Sequence, residues 1–167
     1  TGNLAARFVR EGCFVWGIDF SAQMLAQARA LLPQVHLVQA DLAEEWPLDA
    51  QEPFDRVVSA YVFHHFNLAP KCGLLQRMAR RYLVAGGSIL IADIAFPTVP
   101  ARAEAARRLA DCWDEDEHYW AADETVEAGE QAPRPVAAVL ELEPGILPGR
   151  RRLHGPQPRQ GLHAGLL

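Results

Sequence analysis

A chain of 167 residues, half of them apolar, has one domain's worth of core and is neither a disordered chain nor a multidomain machine. Its net charge of -5 advertises neither nucleic acid nor an anionic membrane as a partner. That charge is an average, because residues 1–130 carry 19 acidic and 11 basic side chains, whereas residues 131–167 carry five Arg and two Glu, with six of the 12 prolines and five of the 12 glycines.

In chain order, Leu4, Phe8 and Val9 recur at helical spacing between Asn3 and Arg10 and close on Gly12, which predicts a helix. Phe14 to Ile18 is a near-continuous apolar run ending on Asp19, the pattern of a strand buried on both faces. Ser21 offers an N-cap hydroxyl to a helix running through Leu32, and Pro33 ends it. Val35 to Val38 predicts a second strand, closing on Gln39-Ala40-Asp41, and Arg56 to Ala60 a third. Pro70 opens a helix with Leu74, Leu75, Met78 and Leu83 on one side. Gly86-Gly87 then leads into a fourth strand, Ser88 to Ala92, which ends on Asp93. Ala101 to Cys112 and residues 122–130 read as helices around the acidic, aromatic stretch Asp111 to Trp120. From Gln131 on, prolines recur too often for helix or central strand apart from a short run, Val136 to Leu142, so this tail is expected to be irregular.

Strands alternating with helices specify an α/β fold, doubly wound and mostly parallel in a Rossmann-like sheet with helices on both faces, because parallel neighbours need helical crossovers. In such sheets the ligand sits at the carboxyl ends of the strands, and three of those ends here carry acids: Asp19, Asp41 and Asp93. Asp19, 17 residues beyond Gly2, is placed to accept from both hydroxyls of a ribose, and Asp41 to accept from an adenine amine. With no P-loop lysine, such a pocket suits a nucleoside that is not a polyphosphate. Cys13, Cys72 and Cys112 are odd in number and without CxxC spacing, which points to a reducing, cytoplasmic compartment. No apolar run approaches the roughly 20 residues that span a bilayer, so no membrane segment is expected.

At these positions the sequence resembles the class I S-adenosylmethionine-dependent methyltransferases of the small UbiE-like type. The matching segments are Thr1-Gly2-Asn3-Leu4-Ala5, Val15 to Ser21 with Met24-Leu25, Gln39-Ala40-Asp41-Leu42, Phe54 to Ser59 with Phe63-His64-His65-Phe66, and Leu83 to Gly87. The resemblance covers residues 1–130, expected as a partial cofactor-binding domain, with residues 131–167 as a separate Pro/Gly/Arg-rich tail.

The resemblance implies S-adenosylmethionine as cofactor and a small-molecule methyl acceptor. It implies Gly2 at the turn facing the methionine part, Asp19 on the ribose, Phe20 beside the adenine, Met24 among the cofactor-binding residues, Asp41 on the adenine amine, and Leu42 presenting a backbone N–H. Ser59 to His65 would close over the sulfonium. Methyl transfer of this kind is an in-line displacement in which positioning at about 3 to 3.5 Å does most of the work. His64 and His65 are the candidate catalytic bases. No metal site is expected, because adjacent side chains diverge and no third ligand stands nearby in sequence. A nicotinamide-dependent oxidoreductase also places an acid near Asp19, but a Tyr four residues before Lys71 is lacking, since Asn67 stands there.

The resemblance further implies that the first strand of the fold, central in its sheet, would precede Thr1, so the chain is expected to be N-terminally truncated. The tail matches none of the family's closing strands and reads as an out-of-frame translation of GC-rich DNA, which makes an inactive truncated gene product a third reading.

Overall fold

The computed structural model describes residues 2–44, 46–48 and 53–125, together with the strand segments 139–140 and 163–166. Helix α1 (Asn3–Arg10) leads through Gly12 into β1 (Phe14–Asp19), and α2 (Ala22–Leu31) connects it to β2 (His36–Gln39). Strand β3 (Phe54–Ala60) passes through a short 3-10 turn, Phe63–His65, into α3 (Leu68–Arg77) and a π-helical turn, Met78–Tyr82, that delivers β4 (Leu83–Ala92). A two-residue strand β5 (Ala95–Phe96), helix α4 (Val99–Arg108) and strand β6 (Trp120–Ala121) follow, then β7 (Val139–Leu140) and β8 (His163–Leu166).

Six strands form one sheet in the order β2-β1-β8-β3-β4-β7, and all five pairings are parallel. Both faces are covered. On one, Val57, Ile89 and Ile91 pack with Phe63, Leu74, Leu75 and Met78; on the other, Val58 and Val15 pack with Ala5, Leu32 and Val35. The alternation Val57/Val58 thus sends neighbouring residues of β3 to opposite cores, as the run of apolar residues requires.

Several elements differ from the sequence pattern for identifiable reasons. Strand β4 begins five residues earlier than Ser88: Phe54 pairs with Leu83 and Arg56 with Ser88, so the chain between them bulges through Gly86 at φ 81. Helix α4 starts at Val99 because the Thr98 hydroxyl accepts from the Ala101 N–H at 3.2 Å. Residues 122–125 are helical, and the remainder of the helix expected to 130 lies outside the described residues.

The sheet centre differs most. The sequence predicts no strand between β1 and β3 and an irregular tail. Instead β8, from the tail itself, sits there and pairs on both sides, Gly165 with Trp16 of β1 and with Val57 of β3. Two parallel strands facing a gap each present a row of unpaired backbone groups, and an extended segment between them satisfies both rows. Strand β7 likewise pairs with the end of β4.

Candidate active site

A cavity of about 510 Å³ opens at the carboxyl ends of β1 and β3, within the size range of small-molecule sites. Its walls are the start of α1, the end of β1 through Phe20, the inner face of α2, Leu42, and the exit of β3 from Ala60 to Val62 with His65. Gly2, Asp19, Phe20, Met24, Leu42 and His65, all anticipated from the sequence, line it together.

Gly2 precedes α1 in the left-handed region at φ 78, and a Cβ there would stand 3.2 Å from Leu32 Cδ1 and 3.3 Å from the Ala28 Cβ. Only a glycine lets this turn lie so close to α2. The Asp19 Oδ1 accepts from the Ser21 N–H at 2.8 Å, while the Ser21 hydroxyl caps α2 by accepting from Met24 N–H at 3.3 Å. The carboxylate is thereby held at the mouth of β1, where the helix start begins. Of the seven large apolar side chains standing exposed among the described residues, three line this cavity: Phe20, Met24 and Tyr61. Apolar surface gathered at a cavity rim is the surface a ligand covers.

Tyr61 was not singled out from the sequence. It is the one non-glycine with positive φ among the described residues, at 57, a conformation that costs a residue of its size roughly 1–3 kcal/mol and that concentrates at functional sites. Its N–H donates to Ala92 O at 2.8 Å, which fixes the turn where β3 leaves the sheet. Nothing in the sequence signals a tyrosine with that backbone.

Three expected residues lie elsewhere. Asp41 is exposed and caps its own turn, its Oδ1 accepting from Ala43 N–H at 2.8 Å, and it does not line the cavity. Ser59 is fully buried in β3 and does not line the cavity. His64 is buried as well, and its partner is Asp93. The Asp93 carboxylate, wholly enclosed, accepts from the His64 backbone N–H at 2.9 Å and from Ile94 N–H at 2.8 Å, and meets His64 Nδ1 at 2.6 Å.

The two histidines do not diverge. On the 3-10 turn their rings sit 4.2 Å apart, and the fold brings Glu117 to both: His64 Nε2 is 3.2 Å from Oε2 and His65 Nδ1 is 3.6 Å from Oε1. The sequence-based grounds against a ligand cluster, divergent rings and no third group, therefore fail. Glu117 is delivered from 52 positions beyond His65 by the His118 N–H, which donates to His64 O at 2.6 Å, and by the Lys71 ammonium, which donates to His118 O. Trp120, buried against Phe63, anchors the same segment through the β5–β6 pairing.

Glu117 also lines a second cavity, of about 280 Å³, with Lys71, Arg102, Tyr119 and Glu124. Lys71 is buried with its Nζ 4.3 Å from the Trp120 ring centre, and burial pulls its pKa down to about 8 against the opposing fields of Asp93 and Glu124. Arg102 is held by a two-pronged pairing with Glu124, at 2.5 and 3.0 Å. All three cysteines are free, and burial pushes the Cys13 and Cys72 thiols up, away from thiolate chemistry. Among the described residues no helix is long and apolar enough to cross a membrane.

Residues 1–87 match a family model described as a methyltransferase domain. An uncharacterized methyltransferase of Alkaliphilus oremlandii is 32% identical over 109 residues, 65% of this chain and 49% of that protein. The malonyl-[acyl-carrier protein] O-methyltransferase of Enterobacter lignolyticus is 36% identical over 112 residues, 65% of this chain and 41% of that protein. The chain thus spans about half the length of the curated relatives it matches. Among solved structures, BH2331 of Bacillus halodurans shares the fold at a TM-score of 0.56 and 21% identity, over 79% of this chain and 68% of that one. The YcgJ protein of Bacillus subtilis does so at 0.53 and 17%, over 76% and 65%.

Proposed function

Because the chain belongs to the methyltransferase domain family, we propose that it transfers a methyl group from S-adenosylmethionine to a small-molecule acceptor in the cavity at the ends of β1 and β3. One observation carries this reading: Asp19 and the glycine-only turn at Gly2 face one cavity from adjacent elements. That pairs a carboxylate acceptor for ribose hydroxyls with a bare backbone for close approach. A Cβ at Gly2 would press on Leu32 and Ala28, so this turn at the cavity stays bare backbone, which supports a close approach by the cofactor.

When bound, the cofactor supplies an electrophilic methyl group on a sulfonium. This chain's residues do the rest. Asp19, already oriented by the Ser21 N–H, accepts from the ribose. Phe20 and Met24 cover the adenine with apolar surface, and Leu42 contributes its backbone N–H. Asp41 is occupied with Ala43 N–H and, like the buried Ser59, does not line the cavity, so the wall is assigned to Gly2, Asp19, Phe20, Met24 and Leu42. Of the two histidines, His65 lines the cavity and is the one placed to take a proton from an acceptor. His64 is fixed by Asp93 below it. The three free thiols support a reducing, cytoplasmic setting.

Calorimetric titration of the full chain with S-adenosylhomocysteine and with NAD tests the reading. Saturable one-to-one binding of S-adenosylhomocysteine is expected, weakened at least tenfold in Asp19→Ala, with no saturable binding of NAD. Saturable NAD binding without S-adenosylhomocysteine binding overturns it.

A further inference from the structure

We propose that His64, His65 and Glu117 form a binding site for a divalent transition-metal cation, with the donor set of a zinc centre, where His65 of the larger cavity meets Glu117 of the smaller. The ligands stand independently of the methyltransferase reading; only the use of the site rests on it.

The donor atoms are already gathered. One nitrogen from each imidazole and an oxygen of Glu117 lie within 4.8 Å of one another. The Glu117 contacts run to different oxygens, His64 Nε2 to Oε2 at 3.2 Å and His65 Nδ1 to Oε1 at 3.6 Å, and each is close to the edge of about 3.4 Å expected of a tetrahedron with metal–ligand bonds of about 2.1 Å. Two imidazoles with one carboxylate suit zinc, whereas magnesium and calcium take oxygen donors.

The surroundings have the arrangement that orients a metal-binding histidine. Asp93, fully buried, meets His64 Nδ1 at 2.6 Å and fixes the ring so that Nε2 is the nitrogen facing Glu117. There it meets Glu117 Oε2, which is buried and makes no hydrogen bond. A ring nitrogen 3.2 Å from a carboxylate oxygen marks a place for a cation, where a metal ion competes with a proton. The fold supports this closeness by the His118 N–H bond to His64 O, which holds the Glu117 segment against the turn.

Three protein ligands leave a position open, as in zinc sites that handle substrate. His65 borders the larger cavity and Glu117 the smaller, so that position is accessible to an acceptor oxygen. With the cation in place His65 is a ligand and no longer the base, so a hydroxyl bound there is acidified by the cation and releases its proton to solvent water.

Zinc chloride titrated into the metal-stripped full chain, against a competing chromophoric chelator, tests the proposal. One Zn²⁺ per chain is expected. Glu117→Gln and His65→Gln should each weaken binding at least 100-fold, and Asp93→Asn about 10- to 100-fold while leaving every ligand in place. His65 has a side chain 60% exposed, so His65→Gln keeps the fold, which circular dichroism verifies. Absence of saturable zinc binding, affinity unchanged in His65→Gln and Glu117→Gln, or thiolate charge-transfer absorption with Co²⁺ overturns the site. S-adenosylhomocysteine titration of the same samples separates the two readings: loss of that binding with one Zn²⁺ retained removes the methyltransferase function and leaves the metal site standing.

Discussion

At the scale of single residues, Gly2 and Lys71 make opposite demands on the fold. Gly2→Ala places a methyl group against Leu32 and Ala28 from a backbone at φ 78, a strain of about 1–2 kcal/mol before any contact is counted. A lower melting temperature and at least tenfold weaker S-adenosylhomocysteine binding are expected together, because the strained turn is the cavity wall. Lys71 pays for its burial. With its pKa lowered to about 8 from 10.5, the native state carries the full penalty of the charged form below pH 8. Between pH 8 and 10.5 the native state has shed the proton that the unfolded chain still holds, so stability rises with pH across that window. Lys71→Met should therefore melt above the parent at pH 7, with the gap closing by pH 10.5 in parallel thermal melts. A gap constant with pH would mean that Lys71 stays charged in the native state. Gly2 and Asp19 were legible in the sequence because a turn and the acid ending a strand are local features. The Asp93–His64–Glu117 set was not, since its members are separated by 29 and 53 positions and meet only through the β4 exit and the Trp120 anchor.

At the scale of elements, the helices that shape the cavity depend on caps that the sequence shows directly. The Ser21 hydroxyl on Met24 N–H sits at the head of α2, whose Met24, Leu25 and Ala28 form one wall. Ser21→Ala should cost about 1 kcal/mol by differential scanning calorimetry, with weaker cofactor binding because the same turn orients Asp19. Destabilisation without any change in S-adenosylhomocysteine affinity would separate the cap from the site. Helices α1 to α3 and strands β1 to β4 follow from apolar periodicity, Ser and Pro starts, and runs buried on both faces. The two-residue strands β5 and β6 do not, because a pairing of Ala95 with Trp120 and Phe96 with Ala121 has no period to display and is held by tertiary packing, Trp120 on Phe63 and Phe96 on Trp113 and Tyr119. The same holds for the β4 start, where the Gly86 bulge extends the strand past the residues whose hydropathy marks it.

At the scale of the molecule, the sheet depends on a strand from the far end of the chain. The composition of residues 131–167 argues against regular structure, yet pairing is a backbone property, and β8 needs only free N–H and C=O groups at the right place. It joins β1 to β3, so the strand carrying Asp19 and the strand leading to Tyr61 and the histidines are held in register across it. Gly165 pairs on both sides, with Trp16 and with Val57. Gly165→Pro removes its N–H and leaves a partner carbonyl unsatisfied in the middle of the sheet, a loss of about 1–3 kcal/mol. Gly165→Ala keeps the N–H and serves as the control. Hydrogen exchange should show faster amides in Val15 to Gly17 and Val57 to Val58 for the proline variant alone, with a lower melting temperature and weaker S-adenosylhomocysteine binding. Unchanged protection in those two strands would mean that they do not rely on β8. Protection lost there, with β2 and β4 unaffected, would locate the coupling between the two halves of the cavity in this one strand.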